Sequence, residues 1–413
     1  MNGSQYGFFN CKRGIRQGDP LSPLLFCLAE EVLSRGISQL VSSGKMDLIK
    51  GTRTAQVHSH CLYVVDIIVF CKGKISCLNA LKSLFTRYAL TSGQIINPSK
   101  STIYSGGVSQ TRLAQIVNLI GFKIDSLPFN YLGVPIFKGR PKAIYFYLIA
   151  DKIKAKLSAW KDSLVSIAGR AQLVKSVIQS MLIYSISVYS WPVSLLKSIE
   201  TWSRNFIWSG DINKRKLVTM AWKKVCVPYV EGGLAIRSLR SLNEASNLKL
   251  CWELLKSNED WAKLFISRVV RPGHIISHHI NSSIWSGIKS EYQTVLMNSR
   301  WQIGNGLLVN IWEDAWCGDP LIQTFQIHAN TLIWLPSKVN ELIRSHQWCI
   351  PAYLNDLFPN LRSRVQQVIF PVEDLKDNFI WKASPNGDLS MKDAYEFKRL
   401  HIPEGNRIPY YQR

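Results

Sequence analysis

Arg13-Gly14-Ile15-Arg16-Gln17-Gly18-Asp19-Pro20-Leu21-Ser22-Pro23-Leu24-Leu25-Phe26 is a charged, glycine-bearing loop that runs into a helix. Ser22 before Pro23 has the form of an N-cap with proline at the first helical position, where a missing N–H costs nothing. Leu24, Leu25, Leu28, Val32 and Leu33 follow at helical spacing, so an amphipathic helix is expected, ending near Gly36. Gly18 has no Cβ, and backbone at such a position can approach a ligand closely. Arg16 offers a forked cation suited to phosphate. A Gly-Asp-Pro turn before a capped helix explains Gly18 to Pro23, but not the Arg and Gln that precede it.

Downstream, Cys61 to Cys71 is an apolar run interrupted by one charge, Asp66. Its length and β-branching favour a strand or a tight hairpin. Leu78 to Leu90 forms a second helical pattern, ended by Ser92-Gly93, and Tyr131 to Ile136 has the pattern of a short strand. From 141 to 260 the pattern is helical. Leu173, Val174, Val177, Ile178 and Met181 share one face, and lysines 152, 154, 156, 161 and 175 lie on the same helices. An ordinary bundle with a solvated lysine face would account for that region alone. Residues 261–413 are rich in Trp, with turns at Gly304-Asn305-Gly306 and Gly318-Asp319-Pro320, so short mixed strands and helices are expected.

The chain has 413 residues and a formal net charge of +22, from 50 Lys and Arg against 28 Asp and Glu. Residues 1–140 carry a net +10 and residues 141–260 a net +9, against +3 for the remainder. A cationic excess of this kind points to a polyanionic partner, nucleic acid or an anionic membrane surface. The apolar fraction of 46% excludes a wholly disordered chain. Nine cysteines at irregular spacings, with no Cys-x-x-Cys pair, argue for a reducing compartment. Residues 1–10 do not have the pattern of a signal peptide. Met181 to Trp191 is the longest membrane-like stretch, and it is shorter than the roughly 20 apolar residues that a span needs. A soluble, intracellular protein of nucleus or cytoplasm, not a membrane protein, is expected. Lys214-Arg215-Lys216 matches a short nuclear signal no better than a solvated turn.

The 13–26 stretch resembles the motif B loop and helix of LINE-type (non-LTR) retrotransposon reverse transcriptases, in the form common in plant elements. The order of later blocks is similar. Tyr63-Val64-Val65-Asp66 lies where the family's motif C hairpin carries Tyr-Ala-Asp-Asp. Ser92 to Ser101, with Asn97 and Lys100, resembles the next block, and Leu127 to Pro135 the block that closes the palm. Trp160 to Trp191, Phe206 to Gly210 and Glu231 to Leu234 resemble the helical thumb-like region. Trp301 to Gly306 with Trp312 and Trp316 resembles the linker beyond it, and Gly387 to Ser390 with Ala394-Tyr395 the start of the zinc-binding region. The fold implied is α/β: a partial palm over 1–140, an α-helical thumb-like region over 141–260, and a small mixed α/β region over 261–413 without the zinc cluster.

The resemblance also implies chemistry. Gln17 and Gly18, with Arg16, would help to position template base and incoming nucleotide. Lys100, Lys152, Lys154 and Lys156 would meet the nucleic-acid backbone, RNA or DNA, without regard to sequence. Polymerisation uses two Mg²⁺ ions held by carboxylate oxygens, from one motif A Asp and the motif C Asp pair. Here Val65 stands in place of the first motif C Asp, and a valine has no lone pair to give. Twelve residues precede Arg13, with no motif A block among them. Asp66 is the surviving ligand of three, too few to hold Mg²⁺ productively, so an inactive polymerase is expected. His58, His60, Cys61, Cys71 and Cys77 match no usual zinc spacing, and zinc is not expected. Without the motif A strand, the 61–71 hairpin is expected to have an unpaired edge open to a protein partner. An active polymerase, or a non-enzymatic interaction fragment, are the competing expectations.

Overall fold

The structure, a computed structural model, describes residues 18–52, 55–161, 165–218, 220–271, 274–278, 280–371, 373–399 and 401. In chain order it begins with helix α1 (Ser22–Ser42), strands β1 (His60–Tyr63) and β2 (Asp66–Val69), helix α2 (Ile75–Ser92), β3 (Thr102–Tyr104), α3 (Gln110–Ile120) and β4 (Lys123–Asp125). Next come β5 (Phe129–Tyr131), β6 (Val134–Ile136), α4 (Ala143–Ala159), α5 (Ile167–Leu173), a π-helical turn (Val174–Ile178), α6 (Gln179–Val188) and α7 (Val193–Ser209). They are followed by α8 (Trp222–Val225), α9 (Leu239–Lys256), α10 (Asp260–Val269), β7 (Val270–Arg271), β8 (His274–Ile275), α11 (Trp285–Asn298) and β9 (Ser299–Gln302). The last elements are α12 (Leu321–Thr324), α13 (Ala329–Leu332), β10 (Ile343–Arg344), β11 (Gln347–Trp348), α14 (Ala352–Leu357), α15 (Leu361–Gln366), β12 (Asn378–Trp381) and α16 (Met391–Lys398). About half of the chain is helical, and the sheets among the described residues are all two-stranded. The chain divides into two compact units, 1–127 with 258–268, and 128–257 with 269–413.

In the first unit, α1 and α2 pack through Leu33, Ile37, Leu40, Cys77, Leu81 and Tyr88. The expected N-cap at Ser22 is displaced by one residue. Leu21 occupies that position, and the Asp19 carboxylate accepts its N–H at 2.8 Å. Nor does α1 stop near Gly36. It continues to Ser42, because Gly36 sits against Leu84, where a Cβ would come within 2.8 Å of the Leu84 Cδ1 methyl. The expected apolar face is also split. Leu33 is buried, whereas Leu24, Leu25, Leu28 and Val32 are exposed. The expected hairpin within 61–71 is present as β1–β2, and α2 ends at Gly93 in the left-handed conformation.

The second unit is built around α9. Leu239, Leu242, Ala245, Leu248, Cys251, Trp252 and Leu254 are all buried, so most of the helix is enclosed, with Arg240 left exposed. The face through Val174, Ile178, Leu182 and Ile186 packs into the same core as Phe146, Leu157, Trp191 and Phe206. The 22-residue helical run Ile167–Val188 is long and apolar enough to cross a membrane by length and composition, which the 181–191 stretch by itself is not. That buried face places it in the core, and it carries Arg170 and Lys175. The Asn243 side chain ties α9 to the end of α6. It accepts from Trp191 N at 3.0 Å and donates to the carbonyls of Tyr189 (2.7 Å) and Ile186 (3.2 Å). Residues 131–136, expected as one strand, form a hairpin instead. β5 and β6 pair across Leu132 and Gly133, both at positive φ.

The last part of the chain returns to α9. β12 pairs antiparallel with β9, and Phe379 stacks on Trp252 at 5.1 Å. Asp377 accepts the backbone N–H groups of Gly304, Gly306 and Leu308, each at 2.8 Å, which closes the expected Gly-Asn-Gly turn. A separate cluster of Val309, Ile311, Trp312, Trp316, Leu321, Leu354 and Leu361 fills the 303–370 region. After α16, Arg399 forms a two-pronged pair with Glu231, at 2.9 and 2.5 Å. The two side chains are only 8% and 4% exposed.

Removing one partner of a buried pair leaves the other charge uncompensated, at a cost of about 3–5 kcal/mol. Arg399→Met should therefore lower the unfolding free energy by about 3 kcal/mol in urea titrations followed by Trp fluorescence. Arg35→Met, which breaks the exposed Glu31 pair, should cost less than about 1 kcal/mol. In hydrogen exchange, amides of β1 and β2 should exchange faster than those of α4 and α9, because the hairpin is small and half-exposed. Equal protection would contradict that assignment.

Candidate functional site

β1 and β2 run antiparallel with His60 opposite Val69, Cys61 opposite Ile68, Leu62 opposite Ile67 and Tyr63 opposite Asp66. Side chains alternate across such a pair. Ile67, Val69 and Cys71 accordingly face the α1–α2 core. Burial pushes the Cys71 thiol up to about 11, which keeps it protonated and packed. The connection is the two-residue turn Val64–Val65. Val64 has φ +50°, a left-handed conformation that two-residue hairpins favour but that β-branched side chains resist. Strain of this kind costs on the order of 1–3 kcal/mol and tends to collect at functional turns.

Tyr63, Val64, Val65 and Asp66 are all exposed, and Val65 is 74% exposed. A carboxylate at position 65 would stand free beside that of Asp66, whereas the valine presents only methyl groups. Among the described residues, no three His, Cys, Asp or Glu side chains gather as a metal-binding group. Mg²⁺ takes oxygen ligands, and two ions 3.5–4 Å apart need several carboxylates between them. The hairpin offers Asp66, so the residues present do not fit the family's pair of Mg²⁺ ions.

The base of the hairpin is tied to α1 through His60. Its Nε2 lies 2.8 Å from Ser34 Oγ and its Nδ1 2.7 Å from Ser59 Oγ. Burial, and then the His58 charge, hold the imidazole below its ordinary value. Both ring nitrogens are engaged in hydrogen bonds, which is an anchoring role.

Of the motif B residues, Arg16 and Gln17 lie outside the described residues. Gly18 is exposed at φ +87°, with open space where a Cβ would stand. Its conformation therefore requires glycine, as well as leaving the backbone accessible. Lys100 is exposed in the Asn97–Ser101 turn. There Asn97 Oδ1 accepts from Ser99 N at 3.0 Å, and Lys100 N donates to the Asn97 carbonyl at 3.2 Å. Lys152, Lys154 and Lys156 are exposed on α4, but they do not share one face. At 100° per residue, 152 and 156 align, while 154 points to the other side. Lys156 lies over the Trp160 ring at 5.6 Å and Lys154 over Trp202 at 5.7 Å. The tryptophans beneath these lysines went unassigned in the sequence; the Lys156–Trp160 spacing of four was the available signal.

Comparison with known proteins bears on the first third of the chain most directly. Residues 1–136 match the family described as reverse transcriptase (RNA-dependent DNA polymerase). An Arabidopsis thaliana protein named for ribonuclease H is 27% identical over 296 residues, 67% of this chain and 46% of that protein. An uncharacterized mitochondrial protein of the same plant is 38% identical over 66 residues, 16% of this chain and 54% of that one. A second such protein is 25% identical over 142 residues, 33% of this chain and 92% of its own length. The chain thus spans about half the length of the first two. The reverse transcriptase match covers the first 136 residues, and the Tyr63–Asp66 hairpin lies inside that stretch.

Proposed function

We propose that this chain derives from a LINE-type (non-LTR) plant retrotransposon reverse transcriptase whose motif C hairpin does not support polymerisation. It retains sequence-tolerant binding to RNA and DNA. The observation that carries the first half is Val65, an exposed aliphatic side chain at the turn where the family holds metal. Electrophilic stabilisation by two metals supplies much of the rate of phosphoryl transfer, and lost catalytic groups cost orders of magnitude. The second half is supported by the +22 net charge and by the reverse transcriptase match. On this reading residues 1–140 are palm, 141–260 a thumb-like region and 261–413 the Trp-rich linker with the start of a zinc-binding region.

A second reading, an interaction protein, is favoured by the exposed Leu24, Leu25, Leu28 and Val32 stripe on α1 and by the two-stranded hairpin. A pull-down that survives nuclease treatment would select it over the first.

Primer extension with Mg²⁺ or Mn²⁺ should give no product from this chain. Val65→Asp should give none either, because one added carboxylate does not complete the ligand set. Product from the unaltered chain would overturn the proposed inactivity, and product restored by Val65→Asp would show that the count of missing ligands is wrong. RNA and DNA binding should weaken steeply with salt, log affinity falling linearly with log salt concentration. Binding that ignores salt would count against an electrostatic contact.

A further inference from the structure

Between Ile212 and Val225, both buried, the chain leaves the core of the second unit and returns to it. The intervening segment carries Lys214, Arg215, Lys216, Lys223 and Lys224, and no Asp or Glu between Asp211 and Glu231. Residues 213–217 are all exposed, and Leu217 is 95% exposed at the tip. Among the described residues, none of the five cations forms an ion pair. Asp211, which opens the segment, is itself buried, and the N–H of Asn213 and then the charges of both Lys161 and Lys214 hold its carboxyl below the ordinary value. It pairs with Lys161 at 3.2 Å and accepts the N–H of Asn213 at 2.9 Å.

The base of this segment is held rather than loose. Asn205 Nδ2 donates to the Ile212 carbonyl at 2.8 Å. Ser209 Oγ lies 2.8 Å from the Lys214 carbonyl and 2.9 Å from that of Asp211, and it accepts from Asp211 N at 3.2 Å. Lys214 N donates to the Asp211 carbonyl at 3.2 Å. A cationic segment whose base is already fixed loses less entropy when it meets a polyanion than a free one would. Met220 and Trp222 pack back onto the core, which anchors the far side.

We infer that Lys214, Arg215 and Lys216, with Lys223 and Lys224, form a phosphate-backbone contact for nucleic acid in addition to the lysines named above. The inference rests on the proposed nucleic-acid binding and assigns it a place. The unpaired charges, the apolar tip and the fixed base together distinguish it from a generally basic surface. The Lys214–Lys216 side chains should release condensed counterions, each contact adding about 0.7 to the salt slope on a single strand.

The test measures binding of labelled single-stranded RNA of mixed sequence across a salt series, using the full chain. The variant Lys214→Gln/Arg215→Gln/Lys216→Gln should have a log–log slope shallower by about 2. A control with equal charge loss elsewhere, Lys45→Gln/Arg362→Gln/Lys392→Gln, should stay within about 0.5 of the parent. Ser209→Ala keeps every cation but frees the Lys214 carbonyl, and should weaken binding several-fold with the slope unchanged. Circular dichroism of the exposed-residue variants should match the parent. If the parent binds steeply but the loop triple variant keeps its slope, the loop assignment is overturned while nucleic-acid binding stands. The same holds if that variant loses only an acidic peptide or an import receptor. If the parent shows no salt-sensitive RNA binding, the proposed function fails together with this inference.

Discussion

The burial of most of α9 is the constraint that organises the larger part of this molecule. A helix with leucines, Cys251 and Trp252 enclosed in this way must be covered from several directions. α6 and α7 cover it from earlier in the chain, and α11 and α16 from later. Several polar groups trapped in that enclosure are matched. Asn243 satisfies three backbone groups at the end of α6, and the Glu200 carboxylate accepts the N–H of Leu239 at the start of α9. Buried amides and carboxylates that are fully bonded favour one arrangement over its competitors. The Arg399–Glu231 pair follows from the same enclosure, since it fastens the end of α16 beside the turn that leads towards α9. A scaffold of this kind can present a cationic segment on a fixed base.

The first unit follows a different logic. Its β1–β2 hairpin rests on two helices through Ile67 and Val69, and its turn stands in solvent. At that turn, folding asks little of residue 65, so a valine is tolerated where the proposed function places a lost oxygen ligand. The reverse transcriptase likeness and the missing ligand are therefore compatible: sequence that preserves the hairpin is separable from sequence that makes it a metal site. Val64 retains the left-handed geometry of the turn even though its side chain disfavours it.

Much of this was legible from local chemistry. The Asp19–Pro23 helix start, the 61–71 hairpin and the Gly93 helix end are written within a few residues of where they act. What was not legible depended on distant neighbours. Gly36 looked like a helix stop until Leu84 supplied a reason for a glycine inside α1. Leu132 is no turn residue by type, so the 129–136 hairpin was hidden within an apolar run. The Arg399–Glu231 pair joins residues that are 168 positions apart. The placing of Lys152, Lys154 and Lys156 around α4 follows from the helix itself. Helical rotation separates them, and α4 was already expected to be helical. At the candidate site, Val65 and Asp66 were legible because the resemblance fixed their place in the hairpin, whereas Arg16 and Gln17 lie outside the described residues.

The central claim, that the hairpin does not hold catalytic metal, is tested most directly by counting free Mn²⁺ by electron paramagnetic resonance as the ion is titrated into the protein. Mn²⁺ takes the same hard oxygen ligands as Mg²⁺. The account predicts weak, unsaturating binding that is identical for the parent and for Asp66→Asn. Saturable tight binding that is lost in Asp66→Asn would contradict it.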